Sequence, residues 1–195
     1  MVFAEWLHQH RVLIATAAVA AGALACRDTT TPKELSKSVG TEPAFTLAKD
    51  FVGTPNGRGN VGTFNIKSKA AGYEVELKSR DNTDIAVSDI VVKPGGHSGW
   101  HKHPGPVLVV VKRGTITFYD VARSRGDGEG DDDRGCSRVV HPAGTAFIEK
   151  GGVVGLARNE SATDDAVVVA TFFLPAGAPS TRIDAPAPGG RNCPL

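Results

Sequence analysis

The chain has 195 residues, 41% of them hydrophobic, which is enough for one domain with a sizeable core. Its 22 basic and 21 acidic residues nearly cancel, leaving a formal net charge of +1 that argues against a nucleic-acid partner. The 23 glycines and 12 prolines predict many turns and few long helices.

The N-terminal segment has the features of an export signal. Residues 12–25 are almost entirely apolar, are too few to span a bilayer, and end in the small-x-small sequence Ala23-Leu24-Ala25. Cys26 follows directly and resembles the lipid-modified cysteine of bacterial lipoproteins. We therefore expect a signal peptide at 1–25, a membrane anchor through lipidated Cys26, and an extracytoplasmic location in the periplasm or at the cell surface. Free secretion is the alternative.

Residues 26–59 are predicted as a polar tether and N-terminal extension, and alternation of apolar and polar residues predicts β-strands after them. Residues 107–111 are apolar at every position, so both faces of that strand should be covered. One face would line a core and the other would pack on a neighbouring segment or on a second subunit of a homodimer. No window beyond the export signal has convincing helical periodicity, which favours a sandwich or jelly roll. Strands are predicted at 73–78, 84–93, 107–111, 115–120, 137–141, 145–149, 153–158 and 166–174.

The pair His101 and His103 is the most informative chemical feature. Residues two apart on a strand face the same side, so the pair aims two imidazoles into one small volume, as a metal site requires. Neutral imidazole suits Zn, Fe, Ni and Cu alike, so the pair does not choose the ion. His97, in a glycine-rich loop, is the predicted third ligand. His141 and Glu149 are further candidates, although His141 could be an ordinary strand-end residue and the direction of the Glu149 side chain is open.

The spacing around this pair is Gly95-x5-His101-x-His103-x3-Val107-x6-Gly114. It resembles the first motif of the cupin superfamily, G-x5-H-x-H-x3-4-E-x6-G. Val107 stands where that family has a metal-binding Glu.

A second segment, Gly144-x5-Lys150-x-Gly152-x2-Gly155-x3-Asn159, resembles the second cupin motif, G-x5-P-x-G-x2-H-x3-N. Lys150 replaces the Pro, and Gly155 replaces the metal-binding His. Asn159 is expected to close a turn with its side chain, a structural role.

The resemblance implies an all-β fold, a double-stranded β-helix or jelly-roll barrel of cupin type over 60–175, with a Pro/Gly-rich C-terminal wrap at 176–195. Because two of the four expected ligands are missing, the cavity is expected to bind a small molecule, or a divalent transition metal weakly, without assured catalysis. The alternative is a metal-dependent cupin enzyme of oxygenase or isomerase type on a small organic substrate. His101 and His103 would then be ligands, with His97 or a substrate oxygen completing the shell.

The three cysteines suggest one disulfide in an exported chain. If Cys26 carries a lipid, Cys136 and Cys193 remain as a pair in an oxidising compartment. A bond between them would pin the C-terminal tail to the barrel and stabilise the fold by about 4 kcal/mol. A free thiol at either position is the alternative.

Overall fold

A computed structural model of the chain describes residues 45–121, 135–190 and 192–195. The predicted signal peptide, the predicted lipid site Cys26 and the predicted tether up to residue 44 lie outside these ranges. Among the described residues, no helix has the length and hydrophobicity that a membrane crossing needs. The described chain forms ten strands: β1 (Lys49–Ala70), β2 (Tyr73–His97), β3 (His101–Lys102), β4 (Val107–Arg113), β5 (Thr115–Val121), β6 (Cys136–Pro142), β7 (Ala146–Glu149), β8 (Gly155–Arg158), β9 (Ala166–Pro175) and β10 (Ile183–Asp184).

These strands form one antiparallel sheet that curls into a nearly closed barrel. The path β10-β3-β8-β2-β9-β4-β7 runs through it, β1 extends it beside β2, and β5 connects β8 to β6. Two strand registers bring residues of the two sequence motifs together. Val107 of β4 lies opposite Glu149 of β7, and His101 of β3 lies opposite Gly155 of β8. The predicted all-β jelly-roll class is confirmed.

The barrel interior is built from alternate residues of its strands. In β4, Val107, Val109 and Val111 are buried, because residues two apart share a face. β9 buries every second residue from Ala166 to Leu174 in the same way. Full burial of one such aliphatic side chain contributes about 1.5–3 kcal/mol to folding. On the outer face of β4, Leu108 and Val110 are 41% and 47% exposed, so no described segment of the chain covers this face. Its packing on a second subunit stays a prediction.

β1 and β2 form a long antiparallel ribbon that the sequence pattern predicts only in part. β2 joins two predicted strands into one, and β1 begins at Lys49, inside the predicted N-terminal extension. Residues 53–62 of β1 are rich in Gly, Asn and Pro and lack alternation, which is why no strand is predicted there. The cross-strand backbone pairing with β2 places them in the sheet despite that composition.

Asp84 ties β1 to β2 and to the chain that follows β9. Arg58 donates from Nε and Nη2 to Asp84 Oδ2 at 2.9 and 2.7 Å. Asn60 Nδ2 donates to Oδ1 at 2.8 Å, and the backbone N–H of Gly177 donates to Oδ2 at 3.0 Å. The bond from Asn60 first, then those from Gly177 and Arg58, lower the pKa of Asp84 to about 2.

We expect the protein to lose stability as the pH falls from about 4 towards about 2. The folded-state pKa of Asp84 lies below its unfolded value of about 3.9, so the carboxylate stabilises the fold fully above that value. Its contribution is lost as the pH falls through the folded pKa of about 2. Thermal unfolding followed by circular dichroism across this range measures the effect. Asp84→Asn should lower the melting temperature at neutral pH and reduce its dependence on pH below about 4. Asp81→Asn, three residues earlier, serves as the control. If the melting temperature of Asp84→Asn falls with pH as steeply as that of wild type, the role given to Asp84 is contradicted.

A second buried cluster lies outside the barrel interior and holds the C-terminal tail. It contains Trp100, Tyr119, Cys136 and Leu156, with Cys193 packed against it. Cys136 and Cys193 form a disulfide with their Cα atoms 5.0 Å apart, as the sequence predicts. Trp100 Nε1 donates to the carbonyl oxygen of Pro194 at 3.1 Å, and β10 pairs with β3. The tail is thus fixed at its end and in its middle.

Candidate metal centre

His101 and His103 face the barrel interior, as their spacing predicts. Both are buried, with 6% and 7% of their surfaces exposed, and their Nε2 atoms lie 3.0 Å apart. Trp100, one residue earlier, points to the opposite face and is fully buried in the second cluster. Because neighbouring residues of a strand face opposite sides, the two histidines face the interior while Trp100 packs on the other side.

A backbone carbonyl orients each imidazole. His101 Nδ1 donates to the carbonyl oxygen of Gly99 at 2.9 Å, and His103 Nδ1 donates to that of Thr181 at 2.6 Å. A carbonyl oxygen can only accept, so the Nδ1 atoms carry hydrogen, and a neutral ring then presents an Nε2 lone pair to the site. Burial first, and then the neighbouring His103 and Arg182, lower the pKa of His101 to about 4. His101 is therefore neutral near neutral pH and able to act as a ligand.

Glu149, the last residue of β7, supplies a carboxylate to the same place. Its Oε2 lies 3.1 Å from His103 Nε2, and its side chain is 12% exposed. Donor atoms from His101, His103 and Glu149 all lie within 4.8 Å of one another. Glu149 is the cross-strand partner of Val107, the position where the first cupin motif has its Glu. Glu149 therefore places a carboxylate on the strand beside that position.

His97 and His141 are not members of this cluster, whose third donor atom belongs to Glu149, so His97 as a ligand stays a prediction. His97 is buried, and its Nδ1 accepts a hydrogen bond from the backbone N–H of Gly99 at 3.2 Å. Burial, with the charges of Arg158 and Lys49, lowers the pKa of His97. His141 stacks on Phe147 with ring centroids 4.1 Å apart.

The second motif explains why a fourth side-chain ligand is missing. Gly155 lies directly opposite His101, where the family His would approach the site. A Cβ at Gly155 would lie 2.6 Å from Cζ of Phe118, so that ring occupies the space a larger side chain needs. Asn159 is fully buried and takes the predicted structural role. Its Nδ2 donates to the carbonyl oxygens of Val92 and Asp164, and its Oδ1 accepts from the backbone N–H of Ser161.

A cavity of about 230 Å³ adjoins the three donor residues. Its walls are mostly apolar, with the largest shares from β1, β2, β4 and β9, whereas its polar groups other than Ser88 gather around His101, His103 and Glu149. Phe172 forms the wall nearest the cluster, with its ring centroid 5.4 Å from that of His103. The arrangement is a mostly apolar cavity with one polar end, a form typical of small-molecule sites.

Both sequence motifs thus lie in one antiparallel jelly-roll barrel, with the His pair facing its interior and the second motif opposite it. The chain has a cupin-type fold. No protein-family model matches the sequence, and no curated protein matches it. Solved structures do resemble this cupin-type barrel, at low sequence identity.

Three of these structures illustrate the likeness. An oxalate oxidase is 22% identical over 46% of this chain and 41% of its own, with a TM-score of 0.37. An uncharacterised conserved protein with a double-stranded β-helix domain from Klebsiella pneumoniae is 19% identical over 64% of this chain and 85% of its own, with a TM-score of 0.38. A cupin superfamily protein from Desulfitobacterium hafniense is 6% identical over 62% of this chain and 81% of its own, with a TM-score of 0.36. The chain therefore spans about two fifths of the oxalate oxidase, and the likeness concerns the fold.

Proposed function

We propose that the protein binds a divalent transition metal through His101, His103 and Glu149, and holds a small organic ligand in the adjoining cavity. One observation carries this proposal. Two imidazole Nε2 atoms lie 3.0 Å apart beside a nearly buried carboxylate, and the hydrogen of each ring is directed away, to a backbone carbonyl. Three acceptors that face one another are unfavourable without a cation between them.

The donor set suits such an ion. Two histidines and one carboxylate bind iron in many oxygenases and zinc in many hydrolases, and in both cases some coordination positions stay open. A bound ion of this kind supplies a Lewis acid to a ligand in the cavity. The chain itself orients the rings through the carbonyl oxygens of Gly99 and Thr181, and it surrounds the adjoining cavity with mostly apolar side chains. The cavity beside the three donor side chains also favours the second candidate, a metal-dependent enzyme acting on the bound molecule.

In a metal-free site, a protonated His103 would pair with Glu149, and His101 Nε2 would remain a hydrogen-bond acceptor. Elemental analysis of protein purified without an affinity tag distinguishes this metal-free site from a metal site. We expect about one equivalent of iron, manganese, nickel or zinc per chain after reconstitution and gel filtration. His97→Ala, which changes a buried histidine outside the cluster, should keep the metal. A reconstituted wild type with less than about a tenth of an equivalent would contradict metal binding.

We also propose that the protein works outside the cytoplasm, anchored through Cys26. The Cys136–Cys193 disulfide supports this location, because such bonds persist in oxidising compartments. The intact mass of the mature protein tests this location, since a mass that retains Met1 would contradict export.

A further inference from the structure

Arg182, in the C-terminal tail, is the positive group at the polar end of the cavity. It lines the cavity together with Thr181, whose carbonyl oxygen orients His103. Arg182 Nη1 donates to the carbonyl oxygen of Ser98 at 2.7 Å, and its Nε donates to Asp184 Oδ1 at 2.6 Å. These bonds hold the guanidinium in place, while Nη2 has no hydrogen bond to any described residue.

The charge balance of the cavity favours an anion. Glu149 and Arg182 are the charged side chains among its described lining residues, and their charges cancel. A divalent cation on the proposed ligands would leave the chamber positive. Asp184, bound to Arg182, has a half-exposed side chain and lies partly in solvent. The Arg182 side chain is 26% exposed and already pairs with Asp184. A divalent ion held by the single carboxylate of Glu149 would still keep an uncompensated positive charge, so a bound anion would complete the site.

The opposite part of the cavity excludes a second charge. Its lining comes from residues such as Ile90, Val109, Val168 and Ala170, and Ser88 is the polar side chain among them in the described chain. A carboxylate there would lose its hydration without gaining a charged partner. The volume of about 230 Å³ is below the range of drug-sized sites, about 300–1,000 Å³, so the ligand is small.

We propose that the cavity selects a small monocarboxylate with an apolar body, and that Arg182 is the residue that determines this specificity. The carboxylate faces Arg182 and the metal ligands, and the apolar body packs on the valines of β4 and on Phe172. Arginine suits this task because it stays charged and its N–H groups match carboxylate oxygens. This inference rests on the proposed function, since the ion contributes to the positive end of the cavity.

Isothermal titration calorimetry on the metal-loaded full chain tests the proposal with three probes of similar size. Butyrate carries one carboxylate, butyramide is its neutral counterpart, and succinate carries a second carboxylate at the far end. We expect butyrate to bind at least about tenfold more tightly than either of the others. Equal affinity for butyrate and butyramide, or no measurable binding of butyrate, would overturn the proposal.

A pair of arginine variants tests the role of Arg182. Arg182→Gln should lose the preference for butyrate over butyramide while retaining its metal, whereas Arg113→Gln, at an exposed turn away from the cavity, should bind as wild type does. An unaltered preference in Arg182→Gln would overturn the assignment. If Arg182→Gln misfolds, the titration of wild type with the three probes still tests the proposal. If the protein binds metal but does not prefer butyrate over butyramide, only this inference is contradicted. If it prefers butyrate but binds no metal, only the proposed function is contradicted.

Discussion

The Glu149→Val variant is expected to lose its metal, and the double variant that adds Val107→Glu is expected to regain it. Val107 and Glu149 are direct cross-strand partners that both line the cavity. Partners in an antiparallel pair have side chains on the same face with Cβ atoms about 5 Å apart. Exchanging the two residues returns the carboxylate to the strand where the first cupin motif has it, without changing the composition of the cavity.

We expect removal of the Glu149 carboxylate to weaken metal affinity by at least about 100-fold, because two imidazoles remain from a set of three donors. Competition with a chelator of known affinity measures this change. Glu149→Gln is the matched control for packing, since it keeps the size of the side chain and removes its charge. It should lose the metal as Glu149→Val does. Full metal retention in both single variants would contradict the site.

The second large effect concerns the disulfide. Cys193→Ser is expected to lower the free energy of unfolding by about 4 kcal/mol, because the bond joins residues 57 apart in sequence and restricts the unfolded chain. For a chain of this size that corresponds to a fall of roughly 10 °C in melting temperature. Denaturant unfolding with and without a reductant measures it, and reduced wild type should match the variant.

The same variant should also weaken metal binding, since the tail held by Cys193 carries the carbonyl of Thr181 that orients His103. Loss of such an outer hydrogen bond costs about 10- to 100-fold in metal affinity. Cys136→Ser removes the same bond from the barrel side and should show the same loss of stability and metal affinity as Cys193→Ser. A peptide map of non-reduced mature protein provides the direct check. Recovery of Cys136 and Cys193 as separately alkylated peptides would contradict the bond.

Strand positions were predictable where side chains alternate or are uniformly apolar. The strands from residue 107 to residue 174 agree with the predictions within a few residues, because burial of one face leaves a period of two in the sequence. β1 left no such period over 53–62, and it pairs through its backbone, whose C=O group every residue type supplies and whose N–H group only proline lacks. β3 and β10, two residues each, are too short to have a pattern.

The part of the candidate site that depends on local strand geometry was predictable, and the part that depends on strand register was not. His101 and His103 share a face because they are two apart on one strand, a property of local geometry. Glu149 could be named as a candidate carboxylate, but the direction of its side chain depends on the register between β4 and β7, which are distant in sequence. His97 is close to His101 in sequence, yet its Nδ1 bonds to the backbone N–H of Gly99 and the residue lies outside the cluster.

By itself the sequence determined that this chain forms a barrel of β-strands with two histidines on one face of a strand, and it indicated a bond between Cys136 and Cys193 with a free thiol as the alternative. Those features follow from the period of strands, the spacing of two motifs and the small number of cysteines. Only the tertiary structure decided that Glu149 lies beside Val107 and next to the two histidines, that Phe118 occupies the space beside Gly155, and that Arg182 reaches the cavity. These facts depend on which strands become neighbours and in what register, and long-range packing sets that choice.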